Sequence, residues 1–223
     1  MFNVIFEVRP RPDRLESYLA LAAHLKPILA QRDGFIDNER FASRRREGWI
    51  LSLSGWRDEK ALVRWRTDAE HHRVQERGRS EVFEDYRLRV GEVTFDSDAT
   101  PPVPNAQQRF DETQASPAKV VSSIELTFAN EAERVAAVAH QIAALEAISG
   151  SAAAPIEFDA FDSIYQPTKA CLLLSWRSAG DAQAWRHDRA AAPIVERRRI
   201  VRVIRDYGMR RREEAPQYHP AVD

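Results

Sequence analysis

Two adjacent histidines, His71 and His72, are the side chains of this chain best suited to acid–base chemistry, because imidazole titrates near neutral pH. They occur in the same half of the chain as Trp65 and Tyr86. Neighbouring residues on a helix point about 100° apart, so we expect only one of the two histidines to face a pocket. A solvated position on the helix surface is the alternative for either histidine.

The sequence offers little support for a metal site. Asp68 and His72 have the i, i+4 spacing of two ligands on one helix face, but a third ligand is not evident and the HExxH arrangement is absent. The eight glycines never cluster into a phosphate-binding loop, and there is no GxSxG turn for acyl transfer. We therefore predict no bound metal and no cofactor.

The chain repeats a tryptophan pattern after 120 residues. Trp56 and Trp65, each followed by arginine, recur as Trp176 and Trp185, again each followed by arginine. Tryptophan is rare, and a period this long is typical of a duplicated domain, not of a solenoid repeat. The sequence thus predicts two related domains in tandem.

The two copies differ where the histidines occur. The second copy has Ala191 and Ala192 in the place of His71 and His72. His187 is a poor replacement, because it follows the second tryptophan of its copy at a different helix angle. If the protein carries out chemistry, we expect the site to lie in the first copy.

Length and composition limit the classes of function. The 223 residues suit two domains of about 100 residues each. The formal net charge of −1 gives no global attraction to nucleic acid or to an anionic membrane, so the three-arginine runs are expected to be solvated. The single cysteine, Cys171, fits a buried core position and a reducing compartment. We expect a cytoplasmic protein without a membrane span.

The order of elements predicts an α+β fold. The first half reads as strand, helix, strand, strand, helix, strand, with Asp13, Asp58 and Asp68 as helix caps, which is the ferredoxin-like βαββαβ pattern. The second half repeats this order, with Asn130 as a cap. Two antiparallel sheets packed face to face would bury both open faces. We expect an intramolecular pseudo-dimeric α+β barrel.

Composition also predicts where the domains end. Prolines and polar residues from about 97 to 118 contain too little apolar surface to pack, so this segment is expected to be a linker. The expected domains are then residues 1–96 and 119–212. Residues 213–223 are left as a C-terminal tail.

The first copy resembles the antibiotic biosynthesis monooxygenase-like family of dimeric α+β barrels. The resemblance extends over nearly all of residues 1–95, and the second copy resembles a diverged member. The segments that carry it are Phe6-Glu7-Val8, Asp33-Gly34-Phe35, Leu51 to Glu59, Trp65-Arg66, Glu70-His71 and Phe83-Glu84-Asp85-Tyr86. Two domains of this family normally come from two chains, so the tandem chain resembles a fused dimer. Further pairing of whole chains is compatible with this.

The resemblance implies oxygenation of a small aromatic or quinol-type molecule without metal or flavin. Such a reaction needs a base and a dry pocket, which makes His72 or His71 the candidate base and Trp65 and Tyr86 the candidate substrate-binding groups. Asn38 and Phe41, on the second strand, are candidate pocket-lining residues. Trp65 could instead be only a core anchor, and Tyr86 could simply pack with its hydroxyl satisfied.

Two other functions fit the same fold. A related branch degrades haem with an axial histidine about ten positions after the tryptophan, where this chain has Gln75 and Val195, so haem cleavage is not expected. A non-catalytic small-molecule-binding or stress-associated module would use the same pocket as an enzyme. Residue types alone do not separate that alternative from a monooxygenase.

Overall fold

The computed structural model describes residues 1–99, 109–186 and 193–215. Its first half follows the predicted order of strands and helices. The elements of this half are β1 (Phe2–Pro10), α1 (Leu15–Ala30), β2 (Phe35–Ser43), β3 (Ile50–Trp56), α2 (Glu59–Arg66), α3 (Ala69–Arg77), a π-helical turn (Gly78–Val82) and β4 (Phe83–Asp96).

The second half repeats the order of the first. Its elements are β5 (Val120–Thr127), α4 (Glu131–Ala147), β6 (Glu157–Ser163), β7 (Lys169–Trp176), α5 (Ala179–Ala184) and β8 (Val195–Gly208). The part of the chain that was expected to contrast with the histidine pair, including His187, Ala191 and Ala192, lies outside the described residues. Within the described ranges, no helix combines the length and apolar composition needed to cross a membrane.

Eight strands form one closed barrel in the order β1-β3-β2-β6-β7-β5-β8-β4. Each half contributes four antiparallel strands, and the halves join where β2 pairs with β6 and β4 pairs with β8. The helices pack against the outer face of this barrel, because the core clusters that contain helix residues use the opposite strand positions from the interior cluster. The predicted pseudo-dimeric α+β barrel is confirmed, and the two sheets also join at their edges.

The barrel interior is filled by side chains from strands of both halves. Its apolar cluster consists of Ile5, Phe41, Leu51, Leu53, Val121, Phe161, Cys171, Leu173 and Val203. Cys171 is buried there as expected, and burial raises the pKa of its thiol. The interior is therefore a shared core, which explains why both halves are needed to complete it.

Buried ion pairs accompany this apolar core. The carboxylate of Glu7 lies 2.5 Å from Arg89 and 2.5 Å from Arg46, and these two cations overcome the effect of burial and lower the pKa of Glu7. The arginine runs were expected to be solvated, which is wrong for Arg199, whose guanidinium is buried beside Asp37. Arg46 is partly exposed, with 36% of its side chain accessible. Carboxylates inside the barrel pair with these arginines and offset the free-energy cost of removing their charge from water.

Side-chain caps explain where several helices begin. Asp58 accepts the main-chain N–H of Ala61 at 2.8 Å, and Asp68 accepts those of Glu70 and His71 at the start of α3. These two predicted caps are confirmed. The predicted cap at Asp13 is wrong, because α1 begins at Leu15 with Arg14 as its N-cap residue and without a side-chain cap. Asp58 caps the start of α2, and Asp68, which caps α3, lies between the two helices.

The end of the predicted linker is packed, contrary to the expectation from its polarity. Thr113 is buried, and its main-chain N–H donates to the carbonyl oxygen of Val203 at 2.9 Å. The carboxylate of Glu214 accepts hydrogen bonds from the Thr113 hydroxyl at 2.7 Å and from the main-chain N–H groups of Gln114 and Ala115. Hydrogen bonds hold this segment where apolar contacts are few. The predicted domain limits remain predictions.

Candidate active site

A cavity of about 420 Å³ lies between the outer face of the first-half sheet and the helices α1, α2 and α3. Most of its wall is apolar, with Val4 and Phe6 from β1, Leu25 from α1, Leu62 from α2 and Leu88 from β4. A cavity of this size and character suits a small, largely apolar molecule.

Five of the six side chains predicted to form a site line this cavity: Trp65, His71, His72, Tyr86 and Asn38. The sixth, Phe41, does not, because it is fully buried in the barrel interior. Asn38 and Phe41 are three residues apart on β2, and residues an odd number apart in a regular strand point to opposite faces. The expectation that both line one pocket was therefore wrong for Phe41.

His71 packs flat against the indole of Trp65, with ring centroids 4.2 Å apart and planes 12° from parallel. Its Nδ1–H donates to the main-chain carbonyl oxygen of Trp65 at 2.9 Å. Burial lowers the pKa of His71 to about 4, and the hydrogen bond to Trp65 and the nearby Asp68 offset burial only in part. The imidazole is consequently neutral at pH 7.

His72 also contributes to the cavity wall but is turned toward solvent. Its side chain is 38% exposed, and Nε2 lies 3.4 Å from the carboxylate of Glu76, one helical turn later. The 100° between neighbouring helix positions separates the two histidines as expected. Among the described residues, His71 packs on the indole of Trp65, whereas the interaction seen for His72 is the one with Glu76.

Trp65 links the cavity to the core. Its indole lies 6.4 Å from that of Trp56, centroid to centroid, and the planes differ by 28°. Trp56 is fully buried, and its Nε1–H donates to the hydroxyl of Ser54 at 3.1 Å. Trp65 thus anchors α2 on the sheet and also lines the cavity. Its role in substrate binding stays a prediction.

Tyr86 lies on β4 with two arginines at its hydroxyl. Arg79 and Arg212 both donate to this oxygen, Arg212 from 2.8 Å. Arg79 belongs to the π-helical turn of the first half, whereas Arg212 follows β8 of the second half. Tyr207 of β8 lines the same end of the cavity, and burial raises the pKa of Tyr207 to about 12. The site therefore contains residues from both halves.

Asn38 organises the polar wall on the sheet. Its Nδ2 donates to the Ser52 hydroxyl and to the Leu53 carbonyl oxygen, each at 3.1 Å. Its Oδ1 accepts from Arg40 at 3.0 Å, and Arg40 also interacts with the hydroxyl of Tyr18 on α1. Burial raises the pKa of Tyr18, although Arg40 acts in the opposite direction. This network fixes Arg40 at the cavity wall.

Within the described residues, no three His, Cys, Asp or Glu side chains are placed to hold a metal ion. The side-chain amide of Gln75, at one of the two positions compared with a haem ligand, lies 3.4 Å from Nδ1 of His71. Val195, at the other position, begins β8 and is exposed. Neither residue type is a usual haem ligand.

The sequence and this geometry have counterparts among known proteins. The sequence model for antibiotic biosynthesis monooxygenase matches residues 1–77. The whole chain is 40% identical, over 224 residues and 99% of each protein, to a Pyricularia oryzae protein named "Jasmonate monooxygenase ABM". The chain belongs to the antibiotic biosynthesis monooxygenase family. The resemblance stated from the sequence is confirmed, and a monooxygenase-like function follows from it.

Two other proteins are less similar to this chain than the Pyricularia oryzae protein is. The Bacillus subtilis protein YqjZ is 32% identical over 76 residues, which cover 34% of this chain and 65% of YqjZ. A crystal structure from Lactobacillus acidophilus is 7% identical, covers 92% of this chain and 94% of its own, and has a TM-score of 0.40. Similarity at that level carries no argument about activity.

Several cavity residues of this monooxygenase-family chain were not found from the sequence. They are Tyr18, Arg40, Arg66, Arg79, Tyr207 and Arg212. Arg40 could have been found, because it is two residues from Asn38 and therefore shares its strand face. Arg212 could not, because it belongs to an arginine run expected to be solvated and reaches the first half only through the pairing of β8 with β4.

Proposed function

We propose that this chain is a monooxygenase that oxidises a small, largely apolar molecule in the cavity of its first half. The observation that carries the proposal is a neutral, enclosed imidazole, His71, in the wall of an apolar cavity. Enclosure from water favours the reaction of a substrate anion with O2, and a neutral imidazole can accept the proton that must leave first.

The tautomer of His71 determines which of its ring nitrogens can accept a proton. A carbonyl oxygen only accepts hydrogen bonds, so the proton of the imidazole lies on Nδ1, opposite the Trp65 carbonyl. Nε2 then keeps its lone pair for a proton acceptor role, and the side-chain amide nitrogen of Gln75, which lies 3.5 Å from it, is the group that a substrate would displace there. A pKa near 4 makes His71 a weak base, but an anion formed beside it would stabilise the imidazolium. We assign proton transfer to His71 and not to His72.

The first candidate substrate class is aromatic, of the quinol or anthrone type. Trp65 and His71, together with Phe83 and Tyr86, offer ring faces and edges to a flat molecule. An activated methylene supplies all the electrons for its own oxidation. It loses both hydrogens and receives one atom of O2 as a carbonyl oxygen, while the other atom of O2 leaves as water. This reaction needs no added reductant.

The second candidate class is an alicyclic acid, because the 40% identical relative is named a jasmonate monooxygenase. Hydroxylation of an unactivated C–H bond consumes O2, two electrons and two protons, and yields an alcohol and water. The electrons must come from a two-electron donor such as a reduced nicotinamide or flavin. A need for such a donor distinguishes this class from the first.

Oxygen consumption tests the proposal. We expect uptake with one of two sets of substrates: anthrones and hydroquinones alone, or jasmonate with reduced nicotinamide and flavin. Ala22→Phe, which places a ring in the cavity, should abolish uptake, while Ala23→Phe, on the exposed side of the same helix, should not. Ligand binding that Ala22→Phe removes, without uptake by the unmodified protein, would instead support the non-catalytic binding role.

A further inference from the structure

The sheet wall of the cavity is divided into an apolar side and a polar side. Strand register places its lining side chains in two rows that run across the sheet. From β4 through β1 and β3 to β2, the rows are Leu88, Phe6, Ser52 and Arg40, and Val90, Val4, Ser54 and Asn38. Both rows are apolar on β4 and β1 and polar on β3 and β2. A molecule on this wall would contact apolar groups along one edge and polar groups along the other.

The polar side is not required by the barrel. In the second half, Leu172 and Leu174 stand at the places of the two serines and belong to a packed apolar cluster. A ligand that enters the first-half cavity removes water from the polar groups of the wall. It binds well only if it supplies hydrogen bonds in place of that water.

Asn38 fixes the hydrogen-bonding role of Ser52. Its Nδ2 donates to the main-chain carbonyl oxygen of Leu53, which can only accept, and its Oδ1 accepts from Arg40, which can only donate. The amide therefore has one orientation, and the Ser52 oxygen, 3.1 Å from Nδ2, accepts from it. The Ser52 proton has no acceptor within the part of the chain that the structure describes. Because Ser52 lines the cavity, this proton can be donated to a ligand there.

The Ser54 hydroxyl has the same role. The indole N–H of Trp56 can only donate, so the Ser54 oxygen, 3.1 Å from Nε1, accepts from it. No described residue accepts the Ser54 proton. The two serines thus offer donors from one face of β3.

Arg40 adds a charged donor to this side of the wall. It lies opposite Ser52 in the pairing of β2 with β3. A guanidinium has several N–H donors, so the bonds to Asn38 and Tyr18 leave others for a ligand. The polar side therefore suits an acceptor, and a cation beside it favours an acceptor that becomes negative.

We propose that Ser52 and Arg40, both held by Asn38, bind the carbonyl oxygen of the substrate, an enolisable ring ketone. Ser54 offers a further donor on the same strand. The apolar body of the ketone packs on the β4 and β1 side, which includes Phe6. The inference rests on the proposed oxidation in this cavity and names the substrate class within it.

This oxygen site would stabilise the anion formed in the first step of that oxidation. A C–H proton next to the carbonyl passes to Nε2 of His71, and the C–H electron pair forms a C=C bond. The π pair of the carbonyl moves to its oxygen, which becomes an enolate. The donors of Ser52 and Arg40 are already directed to that position, so they stabilise the charge without rearrangement. Asn38 is a positioning residue, because it acts through its neighbours.

Binding of a ketone and of its deoxygenated analogue tests the site. The probes are 1-tetralone and tetralin, measured by equilibrium dialysis with the full chain. We expect Ser52→Ala to weaken 1-tetralone binding about three- to tenfold, as loss of one hydrogen bond predicts, and tetralin binding less than about twofold. Arg40→Gln should weaken 1-tetralone binding about tenfold or more, because a charged donor is lost. No 1-tetralone binding below a Kd of about 1 mM, or equal losses for both probes, would overturn the proposal.

Matched variants separate ligand binding from support of the fold. Ser122 also accepts an indole N–H, from Trp176 at 3.1 Å, but does not line the cavity. Ser54→Ala and Ser122→Ala lose the same kind of contact, and only Ser54→Ala should weaken 1-tetralone more than tetralin. The same selective loss in Ser122→Ala would count against the site. Ser52→Thr keeps the hydroxyl, so it should keep the selectivity for the ketone and guards against a folding defect.

The infrared band of the bound carbonyl gives a readout that a purely structural role would not change. A hydrogen bond to a carbonyl oxygen lowers its stretching frequency. The band of 1-tetralone, isotopically labelled at the carbonyl carbon, should therefore lie lower in the natural chain than in Ser52→Ala or Arg40→Gln. An identical band in all three proteins would refute the site.

Activity separates this inference from the proposed function. Ketone binding that depends on Ser52 and Arg40, without oxygen uptake under any electron supply, would leave the oxygen site intact and refute the monooxygenase proposal. Oxygen uptake on an anthrone that neither Ser52→Ala nor Arg40→Gln reduces would refute the oxygen site and leave the monooxygenase proposal intact.

Discussion

Ser52 and Leu172 occupy equivalent positions in the two halves of the barrel, since Ser52 lies opposite Phe6 on the first strand of its half and Leu172 lies opposite Ile124. The same correspondence relates Ser54 to Leu174 across equivalent pairs of strands. In the second half these leucines belong to a packed cluster beneath α4 and α5. The first half has serines in these places and a cavity.

The asymmetry continues on the neighbouring strand. Asn38 and Arg40 line the cavity, while the residues at the corresponding register positions of β6, Phe158 and Ala160, pack in the apolar cluster. The outer sheet surface of the second half is thus covered by a packed apolar core, whereas the equivalent surface of the first half lines a cavity. This difference supports a single site in the first half more directly than the contrast at the histidine positions, which the described residues do not include.

We therefore predict that Ser52→Leu closes the cavity with the residue that the second half uses. Ligand affinity should fall about tenfold or more, because the added side chain occupies ligand space and removes the hydroxyl that Asn38 binds at 3.1 Å. Thermal stability should change little. Calorimetric titration with the best-bound acid or aromatic probe measures the first effect, and Ser80→Leu, at an exposed position, is the control. Unchanged affinity would contradict the assignment of the cavity.

The two histidines should respond differently to substitution. His71→Gln removes the enclosed imidazole and should lower kcat/KM by about 100-fold or more, which is the usual contribution of a general base. His72→Gln should change kcat/KM by no more than about threefold, because His72 pairs with Glu76 near the surface. Oxygen uptake on the substrate identified above measures both. Greater loss from His72 would show that the wrong histidine has been chosen.

Acid should destabilise the protein through His71. Its pKa of about 4 in the folded state is below the ordinary value of about 6.5, so the unfolded state binds more protons between these values. Protonation of His71 therefore does not change the free energy of unfolding above about pH 6.5. As the pH falls toward 4, protonation in the unfolded state lowers the free energy of unfolding by as much as about 3 kcal/mol. Urea unfolding at pH 7 and pH 4.5 should show a smaller difference for His71→Gln than for the natural chain. Equal differences would disprove the buried, neutral imidazole.

The sequence was sufficient to predict the barrel but not the composition of the site. Strand and helix order, the caps Asp58 and Asp68, and the tandem tryptophans are local signals, and local signals specify the ferredoxin-like unit. Arg212 depends on long-range pairing of β8 with β4, which no local pattern encodes. Phe41 was a different kind of error, because strand alternation, applied strictly, separates it from Asn38.

Separated halves should not behave as stable monomers. Residues 1–96 alone would expose the interior faces of Ile5 and Leu53 and the free edges of β2 and β4, and would leave Arg46 without its partner Asp159. We expect this fragment to self-associate or to aggregate, with the full chain as control. Light scattering after gel filtration measures the mass. A well-folded monomeric fragment would remove the physical basis of the fused-dimer interpretation.

We expect Glu214 to affect ligand binding although it does not line the cavity. Its carboxylate accepts hydrogen bonds from the linker at Thr113 and Gln114 and from the main-chain N–H of Asp206 at 2.7 Å, so it ties the segment that carries Arg212 to β8 and to the linker. Burial raises the pKa of Glu214, but these hydrogen bonds outweigh burial and lower it.

Glu214→Ala should therefore loosen the segment that brings Arg212 to Tyr86. We expect about 1–3 kcal/mol of lost stability, because several donors lose a charged acceptor, and ligand binding weakened about three- to tenfold. Glu213→Ala is the control, being adjacent and exposed. The depressed pKa also predicts that the stability contributed by Glu214 is present above its unfolded pKa and is lost as the pH falls through its folded pKa. Lost stability with unchanged ligand affinity would show that Glu214 holds the linker in place but does not position Arg212.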